Sequence, residues 1–219
     1  MIDGIEVTVD REAVVVTAST SLAVVSSAVV GGGFTSARAV VNLHVPKSLR
    51  LEETEAHLAA FAERRRIPAP WVGLLTSAWT EKACVAQAEA DGIRALTVVT
   101  VGLSNRVAAG LDRAAAWSPS TINTIVVVDA VAEAAALVNA VITATEVKTL
   151  ALTSAGVRCA DGRLASGTST DAVVVAATGR GPRCRFGGPV SDLGAVVARA
   201  VREALSAGVE RWLEEASLE

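Results

Sequence analysis

Ala172-Val173-Val174-Val175-Ala176-Ala177 is a run without a single polar side chain, entered directly from Gly167-Thr168-Ser169-Thr170-Asp171. A strand that is apolar at every position, rather than at alternate ones, needs cover on both faces. This segment alone therefore demands a layered fold with the strand inside it. Ile93–Val101 and Ile122–Val128 read as buried strands of the same kind. The carboxylate of Asp171 stands at the mouth of such a strand, where burying a charge costs free energy unless a partner or a task offsets it.

The remaining segments supply the cover. Glu52–Arg66, with Leu58 and Phe61 among charges, reads as a helix stopped by Pro68 and Pro70. Asp129 reads as an N-cap, followed by a long Ala-rich helix from Ala130 to about Ala151. Val190–Glu215 predicts the last helix, and Glu81–Ala90 predicts another. Asn105–Asp112 reads as a helical turn, and Trp71–Ala78 as a short strand. At the start, Ile5–Val9, Glu12–Ala18 and Leu22–Val30 are Val-rich segments with short gaps, a meander ended by Gly31-Gly32-Gly33. Arg38–Leu51 reads as an extended segment or loop. The expected fold class is α/β: a single layered domain over residues 1–219, with a mixed, mostly buried sheet covered by helices. Whether the opening meander joins that sheet is left open by the sequence.

Composition narrows the function. The net charge is −3 and no basic block interleaves with aromatics, which argues against a nucleic-acid partner. No uncharged apolar stretch convincingly reaches the roughly 20 residues of a bilayer span, and the first residues lack the pattern of a signal peptide. Cys84, Cys159 and Cys184 are odd in number and have no CxxC spacing, which suits a reducing cytoplasm. His44 and His57 lie 13 residues apart without HxxxH or HxH pairing, so no metal site is expected. The Ala/Val-rich helices leave association with a second copy open.

Four polar clusters beside apolar runs point to an enzyme pocket: Thr100 to Asn105, Thr121-Ile122-Asn123, Thr145-Glu146-Val147-Lys148, and Gly167 to Asp171. With Ser26-Ser27-Ala28, Asn42, Val45-Pro46-Lys47, Gly73-Leu74-Leu75-Thr76-Ser77-Ala78, Ala109-Gly110 and Gly179, they occur in an order that resembles the adenosylcobinamide amidohydrolases, nearly end to end. Each motif is weak alone; together and in order they are specific. The resemblance implies hydrolysis of the amide joining aminopropanol to the corrin ring of adenosylcobinamide, giving adenosylcobyric acid in corrinoid salvage. It implies a small-molecule corrinoid as substrate rather than cofactor, and no other cofactor. The chain also lacks the Asp-x-His-x-x-Gly pattern by which a protein His ligates cobalt. The competing class is a corrinoid carrier that binds without cleaving.

Amide hydrolysis requires an activated nucleophile, donors for the oxyanion and a proton for the departing amine. Asp171 is the first candidate, as general base or as the group orienting a nucleophile; the bland alternative is that it accepts backbone N–H bonds and shapes its loop. Glu146 and Lys148 are the second candidates, base and oxyanion partner. Residues two apart on a helix point away from each other, so one of them is expected to face the pocket, and an ion pair of Lys148 with Asp171 is an alternative. Asn42, Ser104, Asn105, Asn123, Thr168, Ser169 and Thr170 are the candidate substrate-binding residues. If Ile93–Val101 and Ile122–Val128 are antiparallel neighbours, Asn105 and Asn123 meet at one edge, with Thr121 on the face of Asn123. His44, or less favourably His57, in a Ser-His-Asp arrangement, a cysteine nucleophile, and Trp79 stacking on a corrin or adenine face are further readings of the same residues.

Overall fold

A computed structural model describes residues 1–113 and 120–218. Trp117, one of the four tryptophans, lies outside the described residues. The large sheet comprises β1 (Ile5–Val9), β2 (Ala13–Ser26), β3 (Gly33–His44), β4 (Trp71–Thr76), β5 (Cys84–Ala90), β6 (Ile93–Val101), β7 (Ile122–Asp129) and β8 (Ala172–Ala177). The helices are α1 (Thr54–Arg64), α2 (Ala134–Ser154) and α3 (Asp192–Ala216). The sheet runs β4-β3-β2-β8-β7-β6-β5, with β1 paired to β2. Only β3–β4 and β8–β7 are parallel among these pairs. The opening strands thus belong to the main sheet. The two expected segments on either side of residue 20 are one 14-residue strand with a register shift between Thr17 and Leu22.

That long strand lets the sheet fold over on itself. Measured along the sheet, β4 and β7 are four strand spacings apart, about 19 Å if flat, yet the Asn123 side-chain amide donates to the Leu75 carbonyl at 2.9 Å. Val40, Val72 and Leu74 from one half share a single apolar cluster with Leu96, Val98, Ile125, Val127 and Val174 from the other. The opposite faces are covered by helices. Val99, Val126, Val128, Val173 and Val175 pack under α2 and α3, and Val15, Val41 and Leu43 pack under Leu58 and Phe61 of α1. The result is helix, sheet, sheet, helix. Every residue of β8 is buried, as its uniform apolar run requires.

Two local expectations are corrected. Glu81–Ala90 is not a helix: a short 3-10 turn, Thr80–Lys82, precedes the edge strand β5. Its alanines alternate with exposed or half-exposed Val85, Gln87 and Glu89, and Asp91-Gly92 closes a two-residue hairpin with both residues at positive φ (53° and 75°). Asp-Gly is the turn that matches strand twist, and it overrides the helix propensity of Ala. Asp129 is not an N-cap but the last residue of β7, and Glu133 holds the cap position of α2. The Asp129 carboxylate instead accepts from Arg94, Arg180 and Thr178. Asn105–Asp112 contains a short ladder, Arg106–Val107, followed by a single turn in which the Leu111 and Asp112 N–H groups donate to the Ala108 carbonyl.

Helix α2 is long and apolar enough by length and composition to cross a membrane. Here its Ala136, Leu137, Ala140, Ala144 and Leu152 are packed onto the sheet.

Candidate active site

The four polar clusters of the sequence meet at one end of the sheet. Gly167–Thr168 forms an antiparallel ladder with Arg106–Val107, and Asn105 donates its side-chain amide to Ser169 Oγ at 2.7 Å. Thr121 donates its hydroxyl to the Thr170 carbonyl at 2.7 Å. Asp171 lies at the centre. One of its oxygens accepts from the Ile122 N–H at 3.0 Å and from the Thr168 hydroxyl; the other accepts from the Thr168 N–H at 3.0 Å and from Lys148 Nζ in a short ion pair. The two side chains of that pair are 11% and 9% exposed.

Gly167 makes this arrangement possible. A Cβ at this position would lie 2.3 Å from Asp171 Oδ2 and 2.7 Å from Lys148 Nζ. The chain passes so close over the ion pair that only glycine leaves it room.

A cavity of about 510 Å³ opens beside this loop cluster, with His44, Ser77, Trp79, Ser104, Ser120 and Trp212 among its walls. Ser104 and Ser120 share a 2.6 Å hydrogen bond. The Ser120 carbonyl accepts from the Thr170 hydroxyl at 3.4 Å, so the cavity wall continues into the Asp171 loop. A smaller space of about 60 Å³ lies between Ser27, Leu75, Asn123 and Thr170.

The sequence matches the adenosylcobinamide amidohydrolase family over residues 1–217. It is also 31% identical over 192 residues to an adenosylcobinamide amidohydrolase of Methanosarcina mazei, covering 82% of this chain and 86% of that protein. The chain belongs to the adenosylcobinamide amidohydrolase family. It is therefore a hydrolase acting on an amide. Among solved structures, the PH0078 protein from Pyrococcus horikoshii OT3 aligns over 96% of this chain and 80% of its own, at 13% identity and a TM-score of 0.49. A Burkholderia beta-aminopeptidase aligns over 92% and 79%, at 12% identity and a TM-score of 0.47.

Within this amidohydrolase fold the candidate residues divide into three groups. Asp171, Lys148, Thr168, Ser169, Thr170, Ser104 and Asn105 are gathered at the cavity end of the sheet. Glu146 is on the exposed face of α2, because two residues of helix turn the side chain by about 200° from Lys148. Asn42 and Asn123, each 1% exposed, lie between the two sheet halves. Asn42 donates to Thr100 Oγ1 at 2.9 Å, and Asn123 donates to Asn42 Oδ1 at 2.8 Å as well as to Leu75. β6 and β7 are antiparallel neighbours with Thr100 opposite Asn123, but Asn105 bonds Ser169 rather than Asn123.

Gly167 and Ser120 were not singled out by the sequence as site residues. The direct signal for Gly167 would have been its place between Lys148 and Asp171 in space, which no local pattern reveals. All three cysteines are free and buried. Burial pushes the Cys84, Cys159 and Cys184 thiols up, which lowers the thiolate fraction that a nucleophile needs.

Proposed function

We propose that this chain hydrolyses the amide between aminopropanol and the corrin side chain of adenosylcobinamide, giving adenosylcobyric acid and aminopropanol, and so serves corrinoid salvage in the cytoplasm. The observation that carries the reading is the buried Lys148–Asp171 pair beneath Gly167, in a loop cluster whose Ser104 lines a cavity, in a chain of this family. Three free, buried cysteines accord with a reducing compartment.

The residues divide the chemistry among them. Lys148 has three N–H donors and spends one on Asp171; the others suit the negative charge that develops on the amide oxygen as water adds. Held in a site of low exposure, such a charge acts far more strongly than in water. Asp171 fixes Lys148 and accepts the Thr168 hydroxyl. A hydroxyl bonded in this way can take a proton from the attacking water while passing its own to the carboxylate. The proton then goes to the departing amine, which otherwise leaves poorly. Ser169, Thr170, Ser104 and Asn105 present polar groups around that point for the substrate's amides.

The test is amine release with mass analysis of the corrinoid, on the wild type and on Asp171→Asn. The expected result is conversion of adenosylcobinamide to adenosylcobyric acid by the wild type and a loss of at least a hundredfold in the variant, as for removal of a group in proton transfer. A folded wild type that binds the corrinoid and releases no amine is a carrier, and the proposal fails.

A further inference from the structure

We propose that the His44–Trp79 stack and the cavity it walls receive the adenosyl group of the substrate, so that Trp79 reads a purine nucleoside while the neighbouring loop cluster holds the amide. The inference rests on adenosylcobinamide being the substrate and assigns which residues recognise its nucleoside.

Trp79 follows β4 and is 56% exposed, yet its ring is not free to wander. It stacks on His44 with ring centroids 4.8 Å apart and planes 14° from parallel. His44 is fixed in turn by a 2.9 Å contact between Nδ1 and the Ala78 carbonyl. A carbonyl can only accept, so Nδ1 carries a proton. A half-exposed indole backed on one face by an imidazole leaves its other face as a platform for a planar π-system such as adenine. Base–aromatic stacking works for any base, so hydrogen bonds decide which one stays.

The cavity supplies those. Ser77 Oγ, in the wall, is buried and has no hydrogen-bond partner among the described residues. A buried hydroxyl left unmatched costs free energy, and a rotation about χ1 that turns it toward the cavity would let a ribose hydroxyl or ring nitrogen satisfy it. The cavity's about 510 Å³ falls within the roughly 300–1,000 Å³ of small-ligand sites, which suits a nucleoside and is too little for an entire corrinoid. Lys82, on its rim, is matched by Glu215 at 2.7 Å, and Lys47 and Arg211 also line the cavity. Ser104 and Ser120 sit in the same wall, and Ser120 leads to the Asp171 loop. The nucleoside and the scissile amide belong to one molecule, and the two subsites are adjacent.

The experiment uses 5′-deoxyadenosine as probe and compares wild type, Trp79→Ala and Trp79→Phe on adenosylcobinamide and dicyanocobinamide. In the wild type, 5′-deoxyadenosine competes with adenosylcobinamide and saturably quenches tryptophan fluorescence. In Trp79→Ala both effects are lost. KM for adenosylcobinamide rises about tenfold with kcat within about twofold, in line with losing one base–aromatic stack. The preference for adenosylcobinamide over dicyanocobinamide shrinks by the same factor, and Trp79→Phe restores most of it. Equal losses on both corrinoids, or no competition by 5′-deoxyadenosine in the wild type, overturn the assignment while hydrolysis itself stands. If the wild type hydrolyses neither corrinoid, the proposed reaction fails; the quenching measurement then decides the nucleoside site by itself.

Discussion

Cutting the Lys148–Asp171 pair from either side should expose how much of the fold depends on it. The two side chains are only 11% and 9% exposed, so removing one leaves the other charged and scarcely solvated, a loss of about 3–5 kcal/mol. Lys148→Met belongs near the lower end of that range, because Asp171 keeps the Thr168 N–H, the Thr168 hydroxyl and the Ile122 N–H as donors. Asp171→Asn belongs near the upper end. It strands the ammonium and turns an NH₂ toward groups that are themselves donors. The double variant strands no charge and should be roughly as stable as the worse single variant, which makes the coupling between the sites about 3 kcal/mol, at the top of the range for residues in contact. Urea unfolding at constant m, with m of about 2–3 kcal/mol/M, should therefore show midpoints falling by roughly 1–2 M in each single variant. Effects that add within about 0.5 kcal/mol would refute the reasoning, because they are what independent sites give. So would single losses below about 1 kcal/mol, which belong to solvated surface pairs.

Gly167→Ala should disable the site without touching a polar group: its Cβ would fall 2.3 Å from Asp171 Oδ2 and 2.7 Å from Lys148 Nζ, so amide hydrolysis should drop by tenfold or more. Unchanged kinetics would show that the pair tolerates displacement. Asn123→Ala should cost about 2–4 kcal/mol in urea unfolding, since Asn42 Oδ1 and the Leu75 carbonyl lose their donor between the sheet halves; a loss under 1 kcal/mol would mean the halves do not need that link. Asp129 gives a pH test. Burial pushes its carboxyl up, but the Thr178 hydroxyl and the Arg94 and Arg180 guanidiniums outweigh this and hold it below the ordinary carboxylate range. Its contribution is thus complete above the unfolded value of about 3.9 and is lost as pH falls through the lower folded value. Asp129→Asn should be less stable than wild type at pH 7, with the gap closing below about pH 4; a gap that persists in acid would assign the loss to packing.

Much of the layering was legible because it depends on neighbours in sequence. The uniform apolar run of β8 calls for cover on both faces whatever lies elsewhere, and the structure buries all six residues. The polar clusters were legible for the same reason: small polar residues beside a buried strand are conspicuous locally. β5 was misread because alanine favours helix while its alternation favours strand, and the Asp91-Gly92 turn that decides between them also acts through the partner strand.

What the sequence determined by itself was which segments are buried and which residue types stand at their ends. Only the tertiary structure decided which ends meet. Asp171 and Lys148 are 23 residues apart, and Asn123 lies 48 from Leu75 and 81 from Asn42. Hydrophobic burial is nondirectional and can be read from composition and spacing. A hydrogen bond or an ion pair is directional and short-ranged, so it exists only after the sheet has folded over and brought its two halves within reach.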